Sequence, residues 1–294
     1  MSFDASIFIL FVTGVLVLGC LHSLSRALLQ DTNSEAETMM PEHEGSFLIK
    51  LPNGQYAPAM RLEPDADPQR IIETFGLRTP RPTIFITGGA GGMAAEDVER
   101  TREIMEQGVA AFAQEHGITV IDGGTESGVM QMIGEARTKH NFNFPLIGCT
   151  PIGRVTFDSW KNEDSDAELQ DGHSHFVLVN SNEWGGESQM IVNLTRAIAA
   201  RSRPMIGVLI NGGTISTQDV YLATAQGDNR IPILVLDGSG RAADNISTAF
   251  KTQSSDNALI KAIIQGGDIR LTTLEEGVAG VRERLSKHFQ TTAG

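Results

Sequence analysis

The stretch that decides the fold is Thr83-Ile84-Phe85-Ile86-Thr87-Gly88-Gly89-Ala90-Gly91-Gly92, an apolar run that ends in glycines. A short apolar run bounded by glycine is typical of a buried strand. Behind it, Val98, Met105, Val109 and Phe112 recur at helical spacing, which indicates an amphipathic helix with one buried face. This strand, loop and helix predict the first unit of a parallel α/β sheet.

The same alternation continues along the chain. Further strands are predicted at Thr119–Ile121, Leu146–Cys149, Phe176–Asn180, Met205–Ile210 and Ile231–Leu236, with helices over Val129–Lys139, Glu187–Ala200 and Thr217–Ala225. A hairpin around Pro52-Asn53-Gly54 precedes them, and a C-terminal unit of helix, Ile269–Leu271 strand and helix follows. Residues 46–294 therefore predict a Rossmann-like, doubly wound, mostly parallel sheet.

Four of these strands run directly into glycine-rich loops. The candidate ligand-binding residues in these loops are Gly88, Gly89, Gly91, Gly123, Gly124, Thr125, Gly212, Gly213, Thr214, Asp237, Gly238, Ser239, Gly240 and Arg241. Parallel strands end at one edge, so we expect the loops to share one cleft, where glycine lets backbone N–H groups approach a ligand. Helix starts add positive dipole ends, which favours phosphate. The alternative is that these glycines only permit tight turns.

Two nucleotide-binding motifs do not fit these loops. No Walker lysine follows any of them, so hydrolysis of a nucleoside triphosphate on a P-loop is not predicted. The first loop also lacks the full glycine spacing of a dinucleotide fingerprint.

The N-terminus carries an uncharged apolar run over residues 6–24, SIFILFVTGVLVLGCLHSL. As a helix it would span about 28 Å, close to the hydrocarbon core of a bilayer. Asp4 precedes the run and Arg26 follows it, which favours an uncleaved anchor over a cleaved signal peptide or a lipoprotein signal. We therefore predict a transmembrane anchor over residues 1–30, an acidic linker over 31–45, and a single-pass membrane protein with its C-terminal domain in the cytoplasm.

The charge and the cysteine content of the chain exclude some classes of partner and site. The net charge is -13, the wrong sign for a protein that neutralises nucleic-acid phosphates, so no nucleic-acid partner is predicted. Cys20 and Cys149 are expected to be far apart and unreactive, which suits a reducing compartment. The acidic, aperiodic segment from Asp158 to Asp171 is expected to be an exposed loop, and no metal site is predicted.

Several motifs together resemble a known family. Ile121-Asp122-Gly123-Gly124-Thr125, Ile147-Gly148, His173-Ser174-His175-Phe176, Gly186-Glu187 and the string DGSGRAAD at residues 237–244 look like the N-terminal cytosolic domain of melastatin-type TRP channels, in the prokaryotic branch of the SLOG superfamily. The resemblance implies a sensor of a nucleotide-derived ligand such as ADP-ribose or an NAD-derived nucleotide. It adds Gly148, His175 and Glu187 to the candidate binding residues, and we expect a homo-oligomer.

The superfamily also contains phosphoribohydrolases with the signature PGGxGTxxE, whose final glutamate is catalytic. In the same register this chain reads Asn211-Gly212-Gly213-Thr214-Ile215-Ser216-Thr217-Gln218-Asp219, so the proline, the third glycine and the glutamate are replaced. We therefore favour a sensor without a predicted catalytic residue, with an enzyme that hydrolyses an N-glycosidic bond as the alternative. A signalling or defence effector is plausible by analogy, and a membrane scaffold with a vestigial pocket is a third hypothesis.

Overall fold

A computed structural model of the chain describes residues 40–158, 160–225 and 227–291. They form one compact unit beginning at Met40, built on a nine-stranded sheet. The predicted membrane anchor, most of the acidic linker and Cys20 lie outside these residues. Within them, no helix is long and apolar enough to cross a membrane.

The strands follow the alternation seen in the sequence. Their bounds are Gly45–Lys50 (β1), Tyr56–Leu62 (β2), Thr83–Gly88 (β3), Thr119–Asp122 (β4), Leu146–Pro151 (β5), Val155–Thr156 (β6), Ala167–Glu168 (β7), His175–Val179 (β8), Met205–Ile210 (β9), Ile233–Asp237 (β10) and Ile269–Thr273 (β11). The predicted hairpin is formed by β1 and β2, which pair antiparallel. The predicted C-terminal strand is β11.

The helices alternate with these strands. Their bounds are Pro68–Thr74 (α1), Ala95–Glu103 (α2), Ala111–His116 (α3), Gly128–Lys139 (α4), Ser188–Ala199 (α5), Thr214–Thr224 (α6), Arg241–Thr252 (α7), Ala258–Gly266 (α8) and Gly277–Thr291 (α9). A π-helical segment, Ile104–Ala110, joins α2 to α3. The single helix predicted behind β3 is therefore one continuous helical run with a π-turn in its middle.

The sheet is doubly wound. Its strand order is β1-β2-β8-β5-β4-β3-β9-β10-β11, and every pair except β1 with β2 is parallel. The chain winds outward from β3 through β4 and β5 to β8, then returns to β9 on the other side of β3. In open α/β sheets, ligands bind at such a reversal, beyond the carboxyl ends of the strands.

Both faces of the sheet are covered by helices. Side chains alternate along β3: Ile84 and Ile86 belong to the core shared with the π-helical segment, α3, α4 and α9, whereas Phe85 belongs to the core shared with α1, α5, α6, α7 and α8. This alternation of side-chain direction along a strand explains why the central strands are apolar throughout. The predicted α/β class with a mostly parallel sheet is confirmed.

The acidic segment from Asp158 to Asp171 is more ordered than an exposed loop. Its C-terminal part contains β7, which pairs with β6 in a separate two-stranded sheet. The Glu126 N–H donates to Glu168 O at 2.8 Å, so this small sheet is tied to the loop that follows β4. The alternation of apolar and polar residues does not predict this pairing, because each strand has only two residues.

Candidate functional site

A cleft of about 1070 Å³ opens at the carboxyl ends of β3, β4 and β9, at the reversal of strand order. It is also bounded by the beginnings of four helices, α4, α5, α6 and α7. The structure therefore places glycine loops and helix starts around one cavity, as the strand-and-loop pattern predicts. The lining residues are Ile86, Thr87, Gly88, Gly123, Thr125, Glu126, Ser127, Met130, Thr156, Ser165, Asp166, Ala167, Glu168, Trp184, Glu187, Ile191, Gly213, Thr214, Ile215, Ser216, Asp219 and Arg241.

Seven of the candidate residues from the sequence line this cleft: Gly88, Gly123, Thr125, Glu187, Gly213, Thr214 and Arg241. The other candidate residues lie outside the lining, and several of them make contacts within or between the surrounding loops. Ser239 joins two loops, because its hydroxyl accepts from the Asn211 N–H at 2.8 Å. Asp237 forms an ion pair with Lys251, and the Gly238 N–H donates to Asp244. Gly89, Gly91, Gly212 and Gly240 are in the same loops without lining the cleft.

Gly124 and Gly148 are packing positions. A Cβ on Gly124, whose φ is +69°, would lie 2.7 Å from the Gly148 Cα atom. The two backbones therefore touch where the loop after β4 passes β5, and neither position has room for a side chain. Gly124 fits the alternative that a glycine permits a tight turn, whereas Gly148, inside β5, is required by the close backbone contact.

His175 begins β8 away from the cleft lining. Its ring packs against Phe75 in a tilted arrangement with a centroid distance of 4.9 Å, and its Nδ1 atom lies 2.8 Å from the Ser174 hydroxyl. Burial and the positive charge of Arg137 lower the pKa of His175 to about 4, so the ring is neutral. These contacts describe a packed histidine.

His173 instead supports the loop that follows β4. Its Nε2 atom lies 2.7 Å from Asp122 Oδ1, which also accepts from the Gly124 N–H at 2.8 Å. Both side chains are fully buried. The buried carboxylate thus fixes the backbone of the loop whose next residue, Thr125, lines the cleft.

Arg241 supplies the positive charge of the cleft. It begins α7, and its guanidinium lies against Gly213, where a Cβ would be 2.8 Å from Nη2. In the described part of the chain, no carboxylate lies within ion-pair distance of Arg241. The neighbouring start of α6 contributes the N–H groups of Thr214, Ile215 and Ser216, which have no partner within the helix because they belong to its first turn. This basic side, Arg241 with residues 213–216, is suited to an anion.

Glu187 and Asp219 are two acidic side chains that also line the cleft, and they are called here the carboxyl pair. Only 5% of Glu187 and 4% of Asp219 is exposed. The Gly185 N–H donates to Glu187 Oε2 at 2.9 Å, and the Thr87 hydroxyl donates to Asp219 Oδ2 at 2.6 Å. Burial, with a smaller contribution from Asp219, raises the pKa of Glu187 to about 7, and burial likewise raises the pKa of Asp219.

The cleft as a whole is not electropositive, unlike the expectation from helix dipoles alone. Among the described residues that line it, five are acidic and one is basic; the acidic ones are Glu126, Asp166, Glu168, Glu187 and Asp219. The excess of acidic residues could not be predicted from the sequence of the loops. Three of the five acidic residues come from the 158–171 segment and α6, which tertiary packing brings to the cleft.

Trp184 forms the rim of the cleft. Its indole N–H donates to both carboxylate oxygens of Asp166, at 3.0 and 3.2 Å, and so connects the loop before α5 to the residues before β7. An aromatic ring at the mouth of a cavity offers a stacking surface for a planar group. No glycine motif marked this residue.

No metal site is evident in the part of the chain that the structure describes, where no group of three or more His, Cys, Asp or Glu side chains could hold an ion. Cys149 is buried among apolar neighbours at β5. Burial, with negative charge from Glu187, Asp219 and Asp122, raises the pKa of this thiol well above its usual value. The thiol is thus the unreactive one expected from the sequence.

The chain matches known sequences over most of this fold. The family described as "SLOG in TRPM, prokaryote" matches residues 81–281. A transient receptor potential cation channel subfamily M member-like 2 from Nematostella vectensis is 27% identical over 256 residues, covering 73% of this chain and 16% of the channel. Subfamily M member 2 from Mus musculus is 26% identical over 214 residues, covering 61% of this chain and 14% of that channel.

The match therefore spans a small part of these relatives. The Drosophila melanogaster channel trpm is similar, at 26% identity over 228 residues, with 66% of this chain and 11% of the channel covered. The family match includes every strand and helix that lines the cleft. From this match and the observed fold, the chain belongs to the prokaryotic branch of the SLOG family, the domain also found in TRPM channels.

Proposed function

We propose that this SLOG domain is a sensor that binds a phosphate-bearing, nucleotide-derived ligand of the ADP-ribose or NAD class in the cleft. The observation that carries the proposal is Arg241, a cation without a carboxylate partner among the described residues, beside the open N–H groups at the start of α6. A charged donor with no internal partner, next to a helix start, is the arrangement that binds phosphate. The cavity of about 1070 Å³ has room for a ligand of nucleotide size.

The match to cation channels supports a sensing role, because the matched domain is a small part of proteins that are named for a separate output, the passage of cations. In this proposal the apolar run at residues 6–24 anchors the chain to a membrane, the SLOG domain lies on the cytoplasmic side, and ligand binding changes how copies of the chain associate. No nucleic-acid partner is proposed.

The test is calorimetric titration of the full chain with ADP-ribose and with NAD. We expect Arg241→Ala and Gly213→Val each to weaken binding at least tenfold, about 1.4 kcal/mol, since the first removes the cation and the second pushes it aside. Arg203→Ala is the matched control, because Arg203 is exposed just before β9 and does not line the cleft. Unchanged affinity in both cleft variants would contradict the proposed binding site.

A second function, hydrolysis of an N-glycosidic bond, is favoured by the carboxyl pair. A carboxyl whose pKa is about 7 is protonated in about half of the molecules at neutral pH, which is the condition that suits a general acid. In that reaction water adds to the anomeric carbon as the carbon–nitrogen bond breaks. The proton that the water loses is balanced by protonation of the leaving adenine of ADP-ribose, whereas nicotinamide leaves NAD as a neutral base and the proton passes to solvent. Chromatography of ADP-ribose and NAD incubated with the chain would reveal released base, and Asp219→Asn is expected to abolish the release. Binding of ADP-ribose or NAD without release of a base would contradict the hydrolase and leave the sensor as the only one of the two functions.

A further inference from the structure

The carboxyl pair of Glu187 and Asp219 is the feature of the cleft that phosphate binding does not use. Phosphate is repelled by carboxylates, yet both side chains line the same cavity as Arg241. Neither pKa is shifted by Arg241: burial and neighbouring acidic or hydrogen-bonding groups account for both. The basic side and the carboxyl pair are therefore separate parts of one cleft.

The carboxyl pair also has unused hydrogen-bonding capacity. Asp219 Oδ1 is buried and has no hydrogen-bond partner in the described part of the chain. The Ser188 hydroxyl approaches the Asp219 carboxyl closely enough to lower its pKa but does not meet hydrogen-bond geometry, and it too lacks a partner among these residues. A buried oxygen without a partner destabilises the protein, so a ligand group that satisfies it gains affinity.

The protonation of the pair indicates which ligand group fits. Burial raises the pKa and favours the neutral acid at both sites, and Asp219 further disfavours ionisation of Glu187. Near neutral pH the pair thus presents hydrogen-bond acceptors together with a retained proton. A hydroxyl both donates and accepts, whereas an ammonium or a pyridinium group offers no acceptor to that proton.

We propose that the cleft binds its ligand in one orientation, with phosphate on Arg241 and the start of α6 and with vicinal sugar hydroxyls on Glu187 and Asp219. This inference rests on the proposed nucleotide site and names the part of the ligand that gives specificity. A site built around buried polar groups rejects analogues that lack the matching hydroxyl more strongly than an apolar pocket does.

The experiment compares two probes on the full chain by calorimetric titration: ADP-ribose, which carries phosphates and sugar hydroxyls, and pyrophosphate, which carries phosphates alone. We expect Arg241→Ala to weaken both probes by similar factors. Glu187→Gln and Asp219→Asn are expected to weaken ADP-ribose at least tenfold and to leave pyrophosphate within twofold. Both substitutions keep the shape of the side chain, and a thermal melt of each variant establishes that it is folded.

A second pair of probes tests the hydroxyls directly. Ribose 5-phosphate is expected to bind the unaltered chain at least tenfold more tightly than 2-deoxyribose 5-phosphate, and Glu187→Gln or Asp219→Asn should reduce that preference.

The outcomes separate the two proposals. If ADP-ribose binding depends on Arg241 but neither on Glu187 nor on Asp219, the orientation is overturned while the nucleotide site stands. If Glu187→Gln weakens the binding of ADP-ribose and of pyrophosphate equally, the orientation is also overturned. The effect of the carboxyl pair would then not be specific to the sugar hydroxyls. If the unaltered chain binds neither ADP-ribose nor pyrophosphate, the proposed function itself fails.

Discussion

The loops near Arg241 and the loop that follows β4 use glycine differently. Near Arg241, a Cβ on Gly89 would meet no atom within 4 Å, and the atoms nearest to one on Gly91 or Gly213 belong to Arg241, although Gly88 and Gly212 in the same loops are closely packed. Beyond the end of β4, Gly124 touches Gly148 of β5 backbone to backbone, and the Asp122 carboxylate, which also contacts His173, holds the loop through the Gly124 N–H. Glycine thus leaves space around the cation at some positions and permits close backbone contact at others.

The same contrast separates the charged groups. Arg241 has no carboxylate partner among the described residues and begins a helix at the surface, whereas Glu187 and Asp219 are buried and hold protons more tightly than usual. An exposed cation is suited to attract an anion and release it again. Buried carboxyls are suited to discriminate between ligands, because any oxygen left without a partner costs free energy.

The largest expected effect tests the difference in packing. Gly124→Ala should lower the free energy of unfolding by about 3 kcal/mol, because the added methyl group would lie 2.7 Å from Gly148 Cα and the residue has a φ of +69°. Gly89→Ala is the matched control, and its expected change is below about 0.5 kcal/mol. Urea unfolding measures both, and equal effects would remove the distinction between the two kinds of glycine.

The next effect tests the burial of the carboxyl pair. The pKa of Glu187 is raised from 4.5 to about 7 in the folded chain, so the folded state binds the proton more tightly than the unfolded state. This contribution to stability is fully present below about pH 4.5 and is lost as the pH rises to about 7. Its full size is at most about 3 kcal/mol.

Glu187→Gln should remove the loss of stability at rising pH, because glutamine does not ionise. The difference in unfolding free energy between Glu187→Gln and the unaltered chain should therefore move in favour of the variant between pH 5 and pH 8. Glu183→Gln is the control, since Glu183 lies on the same loop but is exposed. A difference that is independent of pH would mean that Glu187 titrates as an ordinary surface carboxyl.

The smallest effect concerns the rim that joins the loop before α5 to β7. Trp184→Phe deletes the indole N–H that donates to Asp166, and we expect a loss of about 0.5 kcal/mol in unfolding free energy, since the bond is exposed. Trp160→Phe is the control, because the Trp160 indole nitrogen has no hydrogen-bond partner among the described residues. A loss above about 2 kcal/mol at Trp184 would mean that the rim is part of the core.

The α/β class, the parallel strands and the edge at which the glycine loops meet can all be predicted without the structure. These follow from local rules: apolar runs of strand length, helical spacing such as Val98 to Phe112, and glycine after a strand are each readable within about twenty residues. The family resemblance seen in DGSGRAAD belongs to the same category, and the match over residues 81–281 confirms it.

Which of those residues face the cavity depends on how the strands and helices pack together. Asp219 lies in the second turn of α6, and Trp184, Asp166 and Glu168 come from segments without periodic pattern, yet all four line the cleft. Conversely, Gly148 and His175 carry the motif but pack against Gly124 and Phe75. Burial and charge balance arise from contacts between residues far apart in the chain. The acidic character of the cleft and the raised pKa values of its carboxyl pair therefore appear only once the strands have assembled.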